Sequence, residues 1–262
     1  MTDNRAEGEK RVAVVTGAAG GIGAAIAERL ARDGLAVALV DIKDAGPVVE
    51  RIRVAGGEAE GFACDITDPD AVARLGEAVT ARFGRCDVLM NNAGRYEMCA
   101  FDDLTFAHWR KVMALNLDAM FLMAKAFAPG MRARGWGRII HMASNSTFLA
   151  PGGMPQYIAS KSGAIGLARA LGAEFGPDGV TVNAIAPGPI VTEQVRASYA
   201  ADINGGSEEG FDDFMGALVV NQSIRRPGLP SDVVGLVSFL ASDDAGFITT
   251  QTIVCDGGWA RV

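Results

Sequence analysis

Short apolar runs rich in β-branched residues alternate with amphipathic stretches along most of the chain. Seven of these runs predict β-strands, at residues 11–17, 35–42, 58–66, 86–92, 137–144, 180–188 and 251–258. Most are apolar at successive positions, which is typical of strands covered by helices on both faces. Apolar residues spaced by three and four predict helices between them, at residues 22–32, 69–83, 105–133, 155–175 and 230–241, the third with a kink or an end near Pro129.

The alternation of strands and helices predicts an α/β fold. We expect a single doubly wound domain over residues 11–262, with a seven-stranded parallel sheet and helices on both faces. Residues 1–10 are polar and predict a flexible N-terminal tail. Residues 189–229 break the alternation with a long, mixed segment, which predicts an insertion that acts as a lid over a substrate.

The charge balance narrows the choice of partners. The 262 residues carry a formal net charge of −7, and the isoelectric point is about 4.9. These values argue against binding to nucleic acid or to an anionic membrane surface. Asn116 and Asp118 interrupt the run that comes closest to a membrane span. We therefore expect a cytoplasmic protein whose partner is a small molecule.

Cysteine and histidine give no sign of a metal site. The four cysteines lack C-x-x-C spacing and are typical of reduced thiols in a cytosolic protein. His108 and His141 lie far apart in the sequence, and neither belongs to a metal-binding motif. The sequence predicts no metal.

A glycine-rich turn, "TGAAGGIG" at residues 16–23, follows the first predicted strand and opens the first helix. Gly17, Gly21 and Gly23 allow a tight turn and a close approach of a pyrophosphate to the N–H groups at the start of the helix. The G-x-x-x-G-x-G spacing differs from the standard G-x-G-x-x-G of dinucleotide sites. The turn alone is also consistent with a purely structural role.

The residue that ends the second predicted strand indicates which dinucleotide binds. Asp41 can accept hydrogen bonds from a ribose 2′-hydroxyl, and it would repel a 2′-phosphate. Ala18 and Ala19 place no basic side chain in the turn to receive that phosphate, whereas nearby Lys43 argues the other way. The balance favours NAD over NADP.

A phenol and an ammonium lie four residues apart in "QYIASKSG", residues 156–163. If the segment is helical, Tyr157 and Lys161 share one face, one turn apart. A cation in that place favours the phenolate and suits the phenol for proton transfer. Taken alone, the pair is equally consistent with a solvated helix face.

Several motifs together resemble those of the short-chain dehydrogenase/reductase family. They are T-G-x-x-x-G-x-G at 16–23, N-N-A-G at 91–94, Asn116, Ser144, Y-x-x-x-K at 157–161 and P-G-x-I-x-T at 187–192, and the resemblance covers residues 11–258. Thr250 stands where the family often has glycine, which predicts an altered turn there. The resemblance implies a Rossmann fold and an NAD(P)-dependent oxidoreductase.

The resemblance also implies four catalytic residues. Tyr157 would be the general acid and base, and Ser144 would hydrogen-bond the substrate oxygen. Lys161 would hold the nicotinamide ribose and, together with the positive nicotinamide ring, lower the pKa of Tyr157. Asn116 would bend its helix and order a water in a proton relay.

The implied cofactor contacts lie mainly at strand ends. Asp65 and Ile66 would form an adenine pocket, and the segment 92–94 would line the cofactor. The segment 187–192 would surround the nicotinamide amide. The full set is Gly17, Gly21, Ile22, Gly23, Asp41, Asp65, Ile66, Asn92, Ala93, Gly94, Tyr157, Lys161, Pro187, Ile190 and Thr192.

The implied reaction interconverts a secondary alcohol and a ketone with NAD. Loop sequences are similar to those of NAD-dependent dehydrogenases of aromatic secondary alcohols such as 1-phenylethanol, which predicts a small hydrophobic or aromatic substrate. Phe148, Met154 and residues 211–214 offer apolar surface for it.

Two alternatives remain open on the sequence. A 3-oxoacyl-[acyl-carrier-protein] reductase would need a basic surface for its acidic partner, which the arginines at 132, 134, 138 and 169 could form. A non-catalytic NAD-binding regulator would have no need of Ser144, Tyr157 and Lys161 together. Family resemblance further predicts a homotetramer packed through the helices at 105–133 and 155–175.

Overall fold

The computed structural model describes residues 10–262, and a single parallel sheet runs through it. Its strands are β1 (Val12–Thr16), β2 (Ala36–Asp41), β3 (Glu58–Ala63), β4 (Val88–Asn91), β5 (Gly137–Met142), β6 (Val180–Pro187) and β7 (Thr252–Cys255). The strand order is β3-β2-β1-β4-β5-β6-β7, and every neighbouring pair is parallel. The predicted seven-stranded α/β fold is confirmed. Apart from Lys10, the predicted tail lies outside the described residues.

Helices cover both faces of the sheet. They are α1 (Gly21–Arg32), α2 (Gly46–Val54), α3 (Pro69–Phe83), α4 (Phe106–Met113), α5 (Ala119–Arg134), α6 (Ser146–Leu149), α7 (Pro155–Phe175), α8 (Glu193–Asp202), α9 (Phe211–Val219) and α10 (Pro230–Leu240). Helices α1, α2 and α10 pack on one face, and α3, α5 and α7 on the other.

The two-sided burial explains why the strands are apolar at successive positions. In β1, Ala13 and Val15 contribute to the core under α1, whereas Val14 contributes to the opposite core under α5. Successive side chains of a strand point to opposite faces, so both sets must be apolar when both faces are covered.

The long helix predicted at 105–133 is continuous but changes pitch. Thr105 caps α4 by accepting a hydrogen bond from the His108 N–H at 3.1 Å. A π-helical turn at Ala114–Asp118 joins α4 to α5. The expected end or kink near Pro129 is wrong as an end, because the helix runs through Pro129 to Arg134. Burial of its apolar face against the sheet outweighs the hydrogen bond that proline cannot donate.

The same 106–134 helix is, among residues 10–262, the one segment long and apolar enough to cross a membrane by length and composition. Its buried side chains belong to the core between α3, α7 and the sheet. A core helix of a globular protein meets the same criteria, so this finding adds no support for a membrane span.

Residues 189–229 form two helices that the sequence patterns did not predict, α8 and α9. They share a small core of their own, in which Tyr199, Phe211 and Met215 are buried. Both ends of the segment are tied together, because Ile190 and Gly228 form an isolated parallel bridge. The short helix α2 was also missing from the prediction.

Candidate active site

The predicted site residues converge at the carboxyl ends of the central strands. The strand order reverses between β1 and β4, and a crevice opens at such a switch point in a doubly wound sheet. The glycine turn follows β1, the N-N-A-G segment lies at the end of β4, Ser144 follows β5, and the P-G-x-I-x-T segment follows β6.

The glycine turn requires glycine at three positions, Gly17 and Gly21 because of their backbone conformation and Gly23 because of space. Gly17 and Gly21 have φ angles of 67° and 54°, in the left-handed region that favours glycine. A Cβ at Gly23 would lie 2.0 Å from the Gly17 carbonyl oxygen. Helix α1 begins here without a side-chain cap at Gly20, so its first N–H groups remain available to an anion. These features fit the pyrophosphate of a dinucleotide, and Ile22 follows in the first turn of α1.

Thr16 and Asn92 join the glycine turn to the end of β4. The Asn92 side chain donates to the Thr16 carbonyl oxygen at 2.9 Å. The Thr16 hydroxyl oxygen accepts the N–H groups of Asn92 and Ala93, each at 3.0 Å. Sequence reasoning assigned no role to Thr16, although it directly precedes the first glycine of the motif.

Asp41 lies against the turn, as a ribose-binding acid should. Its carboxylate accepts the Ala19 N–H at 3.0 Å and the Lys43 N–H at 3.0 Å. These bonds fix the carboxylate at the end of β2, beside the start of the phosphate cradle.

Asp65 and Ile66 follow β3 on the same edge of the sheet. Ile66 is buried in the core, while Asp65 is exposed and accepts hydrogen bonds from the Thr67 hydroxyl and N–H. These bonds, the hydroxyl one above all, lower the pKa of Asp65. The structure therefore places an ionised carboxylate and an apolar side chain side by side after β3.

Asn116 is fully buried within the π-helical turn. Its side chain accepts the Arg95 N–H at 2.8 Å and donates to the Arg95 carbonyl oxygen at 3.0 Å and the Ser160 hydroxyl at 3.1 Å. A Cβ at Gly94 would lie 3.1 Å from the Lys161 ammonium and 3.2 Å from the Asn116 amide oxygen. The predicted local distortion of this helix is present, and π-turns of this kind recur at functional sites.

Ser144, Tyr157 and Lys161 come together at the start of α7. The Ser144 hydroxyl accepts hydrogen bonds from the N–H and the hydroxyl of Ser146, at 3.2 Å and 2.9 Å, and lies close enough to Tyr157 to lower the pKa of the phenol. The Lys161 ammonium donates to the Met142 carbonyl oxygen at 2.7 Å and lies 5.9 Å from the centroid of the Tyr157 ring. The same-face geometry expected from the spacing of four is present.

The expected direction of the Tyr157 pKa shift is not what the protein alone produces. Desolvation raises the pKa of Tyr157 to about 12, against the opposing effect of the Ser144 hydroxyl. Burial also lowers the pKa of Lys161 to about 8. The expectation relied on two cations, Lys161 and the nicotinamide ring, and the protein contributes only the first.

The segment after β6 folds back over the glycine turn. Pro187 ends β6, and Ile190 is buried in the core under α1 and α10. Thr192 caps α8 by accepting the Val195 N–H at 3.2 Å. A Cβ at Gly21 would lie 3.6 Å from Thr192, so the start of α8 faces the phosphate cradle.

His141 is a buried residue of this region that sequence reasoning left without a role. It pairs with Asn91 across β4 and β5, with its Nδ1 at 3.1 Å from the Asn91 amide nitrogen. Its Nε2 has no hydrogen-bond partner. Burial, and secondarily the charge of Lys161, lower the pKa of His141 to about 3, so the ring is neutral.

Two surfaces suggested by the sequence are smaller than expected. Of the apolar residues, Met154 and Phe211 are buried, Phe211 against Tyr199 with 5.5 Å between ring centroids, whereas Phe148 and Phe214 are partly exposed. The suggested basic patch is also broken up, because Arg138 is buried and Arg132 is paired with Asp178 at 2.6 Å.

Residues 10–262 contain no group of three or more His, Cys, Asp or Glu side chains arranged to hold a metal ion.

Known proteins share both the sequence and the fold. A family model described as "Enoyl-(Acyl carrier protein) reductase" matches residues 17–260. A D-threitol dehydrogenase from Mycolicibacterium smegmatis is 36% identical over 251 residues, which is 95% of this chain and 92% of that protein. The chain belongs to the short-chain dehydrogenase/reductase family. It is therefore an oxidoreductase that acts on alcohol or carbonyl groups with NAD(P).

Two solved structures of this family are similar along nearly the whole chain. A protein described as an NAD(P)-dependent gluconate 5-dehydrogenase from Beutenbergia cavernae, with bound NADP, has a TM-score of 0.87 and 38% identity, covering 95% of this chain and 96% of its own. A point variant of actinorhodin polyketide ketoreductase with NADPH has a TM-score of 0.89 and 35% identity, covering 97% and 98%. Both structures hold the phosphorylated dinucleotide, so they support NAD(P) in general and lean against a preference for NAD.

Proposed function

We propose that this short-chain dehydrogenase/reductase interconverts a small hydrophobic or aromatic secondary alcohol and its ketone, with Tyr157 as the proton-transfer group. The observation that carries the proposal is that the Ser144 hydroxyl and the Tyr157 phenol lie together beside the buried Lys161, whose ammonium is 5.9 Å from the centroid of the Tyr157 ring. A residue set that only bound NAD(P) would not need a phenol and a hydroxyl facing each other at the end of the cradle.

Each residue of the chain has a separate task in this reaction. NAD(P) supplies or accepts the hydride when it is bound. In the oxidative direction, Ser144 donates a hydrogen bond to the substrate oxygen and Tyr157 takes the proton of the substrate hydroxyl. The Lys161 ammonium favours the phenolate form of Tyr157 and holds a ribose hydroxyl.

Asn116 acts on proton transfer through the backbone. Its amide is already engaged with Arg95 and Ser160. The π-turn around it interrupts the regular i to i+4 hydrogen bonding of the helix. We infer that a main-chain carbonyl in this turn binds the water that exchanges the Lys161 proton with solvent.

The remaining predicted contacts hold the cofactor. Gly17, Gly21, Ile22 and Gly23 bind the pyrophosphate, and Asp65 and Ile66 bind the adenine. Asn92, Ala93 and Gly94 line the centre of the crevice, while Pro187, Ile190 and Thr192 surround the nicotinamide amide.

NAD is the proposed cofactor, with NADP less favoured. The proposal rests on Asp41, whose carboxylate is fixed beside the turn by the Ala19 and Lys43 N–H groups. A 2′-phosphate would meet that negative charge.

The test is a panel of aromatic and aliphatic secondary alcohols and ketones, each assayed with NAD(H) and NADP(H). We expect the highest kcat/KM for a ring-bearing alcohol with NAD. A strong preference for NADPH would contradict the Asp41 argument. Turnover of aliphatic substrates alone would contradict the substrate class. Cofactor binding without turnover of any substrate would favour the non-catalytic regulator.

We also propose that the protein is a cytoplasmic homotetramer. Phe106 and Phe121 project from the 106–134 helix with 76% and 49% of their surface exposed, and they offer apolar surface for packing against another copy of this helix. Size-exclusion chromatography with light scattering should give four times the mass of the chain, and a stable monomer would contradict the proposal.

A further inference from the structure

The backbone between β4 and α4 lies next to the site. The segment 94–98, here called the crossing loop, is held at its start by Asn116, which bonds both the N–H and the carbonyl oxygen of Arg95. The next residue, Tyr96, forms a T-shaped contact with the ring of Tyr157, with 5.3 Å between centroids and 83° between planes. A substrate bound at the Tyr157 hydroxyl would therefore lie close to Tyr96.

Three side chains on one face of α8 form hydrogen bonds with the backbone of the crossing loop. Gln194 donates to the Gly94 carbonyl oxygen at 2.9 Å, and the Ser198 hydroxyl donates to the Tyr96 carbonyl oxygen at 2.9 Å. The Asp202 carboxylate accepts the Met98 N–H at 3.2 Å. The three side chains are spaced by four residues and so share one helix face. Their targets on the loop are spaced by two, as in extended backbone.

Another side of α8 packs against the rest of the 189–229 segment. Tyr199 packs against Phe211 in a T-shaped contact and against Phe214 in a tilted one, and its hydroxyl donates to the Glu209 carbonyl oxygen at 3.0 Å. Asp202 also lies near the Tyr96 phenol and, after desolvation, is a cause of its raised pKa. Helix α8 thus connects the small core of the segment to the residue beside the catalytic phenol.

We propose that Tyr96 is a specificity-determining residue that stacks on the ring of the alcohol substrate, and that the Gln194, Ser198 and Asp202 face of α8 positions it. The inference rests on the proposed function and adds which residue selects the ring. A T-shaped contact engages either the edge or one face of Tyr96, so Tyr157 leaves at least one face of the Tyr96 ring for an aromatic or cyclic substituent. An aliphatic alcohol of similar size gains less from that face.

The first experiment replaces Tyr96 and compares two alcohols that the wild-type protein oxidises, one with a ring and one without, such as 1-phenylethanol and 2-butanol. In Tyr96→Leu, kcat/KM for the ring-bearing alcohol should fall about three- to tenfold relative to that for the aliphatic one, the usual worth of an aromatic pair. Tyr96→Phe should restore the wild-type ratio. A ratio unchanged by Tyr96→Leu would overturn the inference.

The second experiment removes the three hydrogen bonds between α8 and the crossing loop and leaves Tyr96 unchanged. Gln194→Ala, Ser198→Ala and Asp202→Asn combined should shift the same ratio in the same direction, and add nothing further in the Tyr96→Leu background. Glu193→Gln is the matched control, because Glu193 is exposed on the same helix, and it should leave the ratio unchanged. A purely structural role would lower kcat/KM for both alcohols equally, and that result would overturn the positioning role.

The outcomes separate this inference from the proposed function. A wild-type protein that oxidises no alcohol would overturn both. A wild-type protein that oxidises only ring-free alcohols, or a ratio that none of the variants changes, would overturn the role of Tyr96 while leaving the reaction class intact.

Discussion

The glycine turn with helix α7 and the segment 189–229 are held in place by different kinds of contact. The glycine turn and helix α7 are attached directly to the sheet. The turn connects β1 to α1, and the buried Lys161 of α7 donates a hydrogen bond to the end of β5. The segment 189–229 has a core of only three buried side chains and reaches the site through side-chain bonds to the crossing loop. We infer that the chemistry is carried by the rigid region and the choice of substrate by the weakly anchored one.

Gly23→Ala should have the largest effect, because it adds a Cβ to the glycine turn at a position that has no space for one. The added Cβ would lie 2.0 Å from the Gly17 carbonyl oxygen and 2.6 Å from the Asn92 amide nitrogen. We expect NAD(H) affinity to fall at least about 100-fold, measured by calorimetric titration, since the backbone must move out of the anion-binding geometry.

Gly235→Ala is the matched control for that change. Gly235 is exposed on α10 with nothing within 4 Å of an added Cβ, so affinity should stay at the wild-type value. Normal affinity in Gly23→Ala would show that the turn does not hold the pyrophosphate.

Tyr199→Ala should loosen the 189–229 segment alone. Tyr199 packs against Phe211 and Phe214, at 5.5 Å and 5.0 Å between ring centroids. Loss of a buried aromatic side chain costs about 3 kcal/mol, so hydrogen-exchange protection in α8 and α9 should fall about 100-fold while protection in β1 and β4 stays constant. Equal loss of protection in the sheet would contradict the separation of the two regions.

His141 should make the rigid region sensitive to acid. Its folded-state pKa, about 3, is far below the usual 6.5, so between these values the unfolded chain binds the proton and the folded chain does not. Stability is therefore lost as pH falls, by about 1.4 kcal/mol between pH 7.5 and 5.5 from this group. Denaturant titrations of His141→Asn should show a pH dependence weaker by that amount, and an unchanged pH dependence would mean that His141 has the same pKa in the folded and unfolded chain.

Thr250→Gly should give the smallest effect, a gain in stability. Thr250 has a φ of 64°, which strains a β-branched residue. The entropic cost of glycine offsets part of the relief, and we expect a net gain of about 0.5 kcal/mol in thermal unfolding. Thr249→Gly should instead destabilise, because the Thr249 hydroxyl accepts the Val182 N–H. A loss of stability in Thr250→Gly would show that its hydroxyl matters more than its backbone strain.

The same contrast decides what could be predicted from sequence. Helix α7 begins and ends at the predicted residues, and α3 does so because Asp68 caps it and Pro69 occupies its first turn. Helix α8 buries only Tyr199, so its apolar pattern is too weak to predict a helix. The hydrogen bonds between α8 and the crossing loop were not predicted either, because bonds from side chains to backbone atoms produce no periodic pattern in the sequence.

The sequence indicated which residues lie together in the site, but not how burial changes the pKa of Tyr157. The resemblance assigned Asn116, Ser144, Tyr157 and Lys161 to one catalytic site, and the structure places these four side chains at the same end of the sheet. It did not predict the direction of the Tyr157 pKa shift, which depends on how completely the phenol is desolvated. Tyr96 was missed because only the folded chain shows which loop residue packs against the phenol.

The most direct test of the account is the turnover of Tyr157→Phe with the best substrate of the alcohol panel, together with its affinity for NAD(H). Removal of the hydroxyl leaves the ring in place against Tyr96 and takes away only the proton-transfer group. The account predicts that kcat falls about 1,000-fold, within the range for loss of a general acid or base, while cofactor affinity stays near the wild-type value. Turnover close to that of the wild type would contradict the assignment of Tyr157.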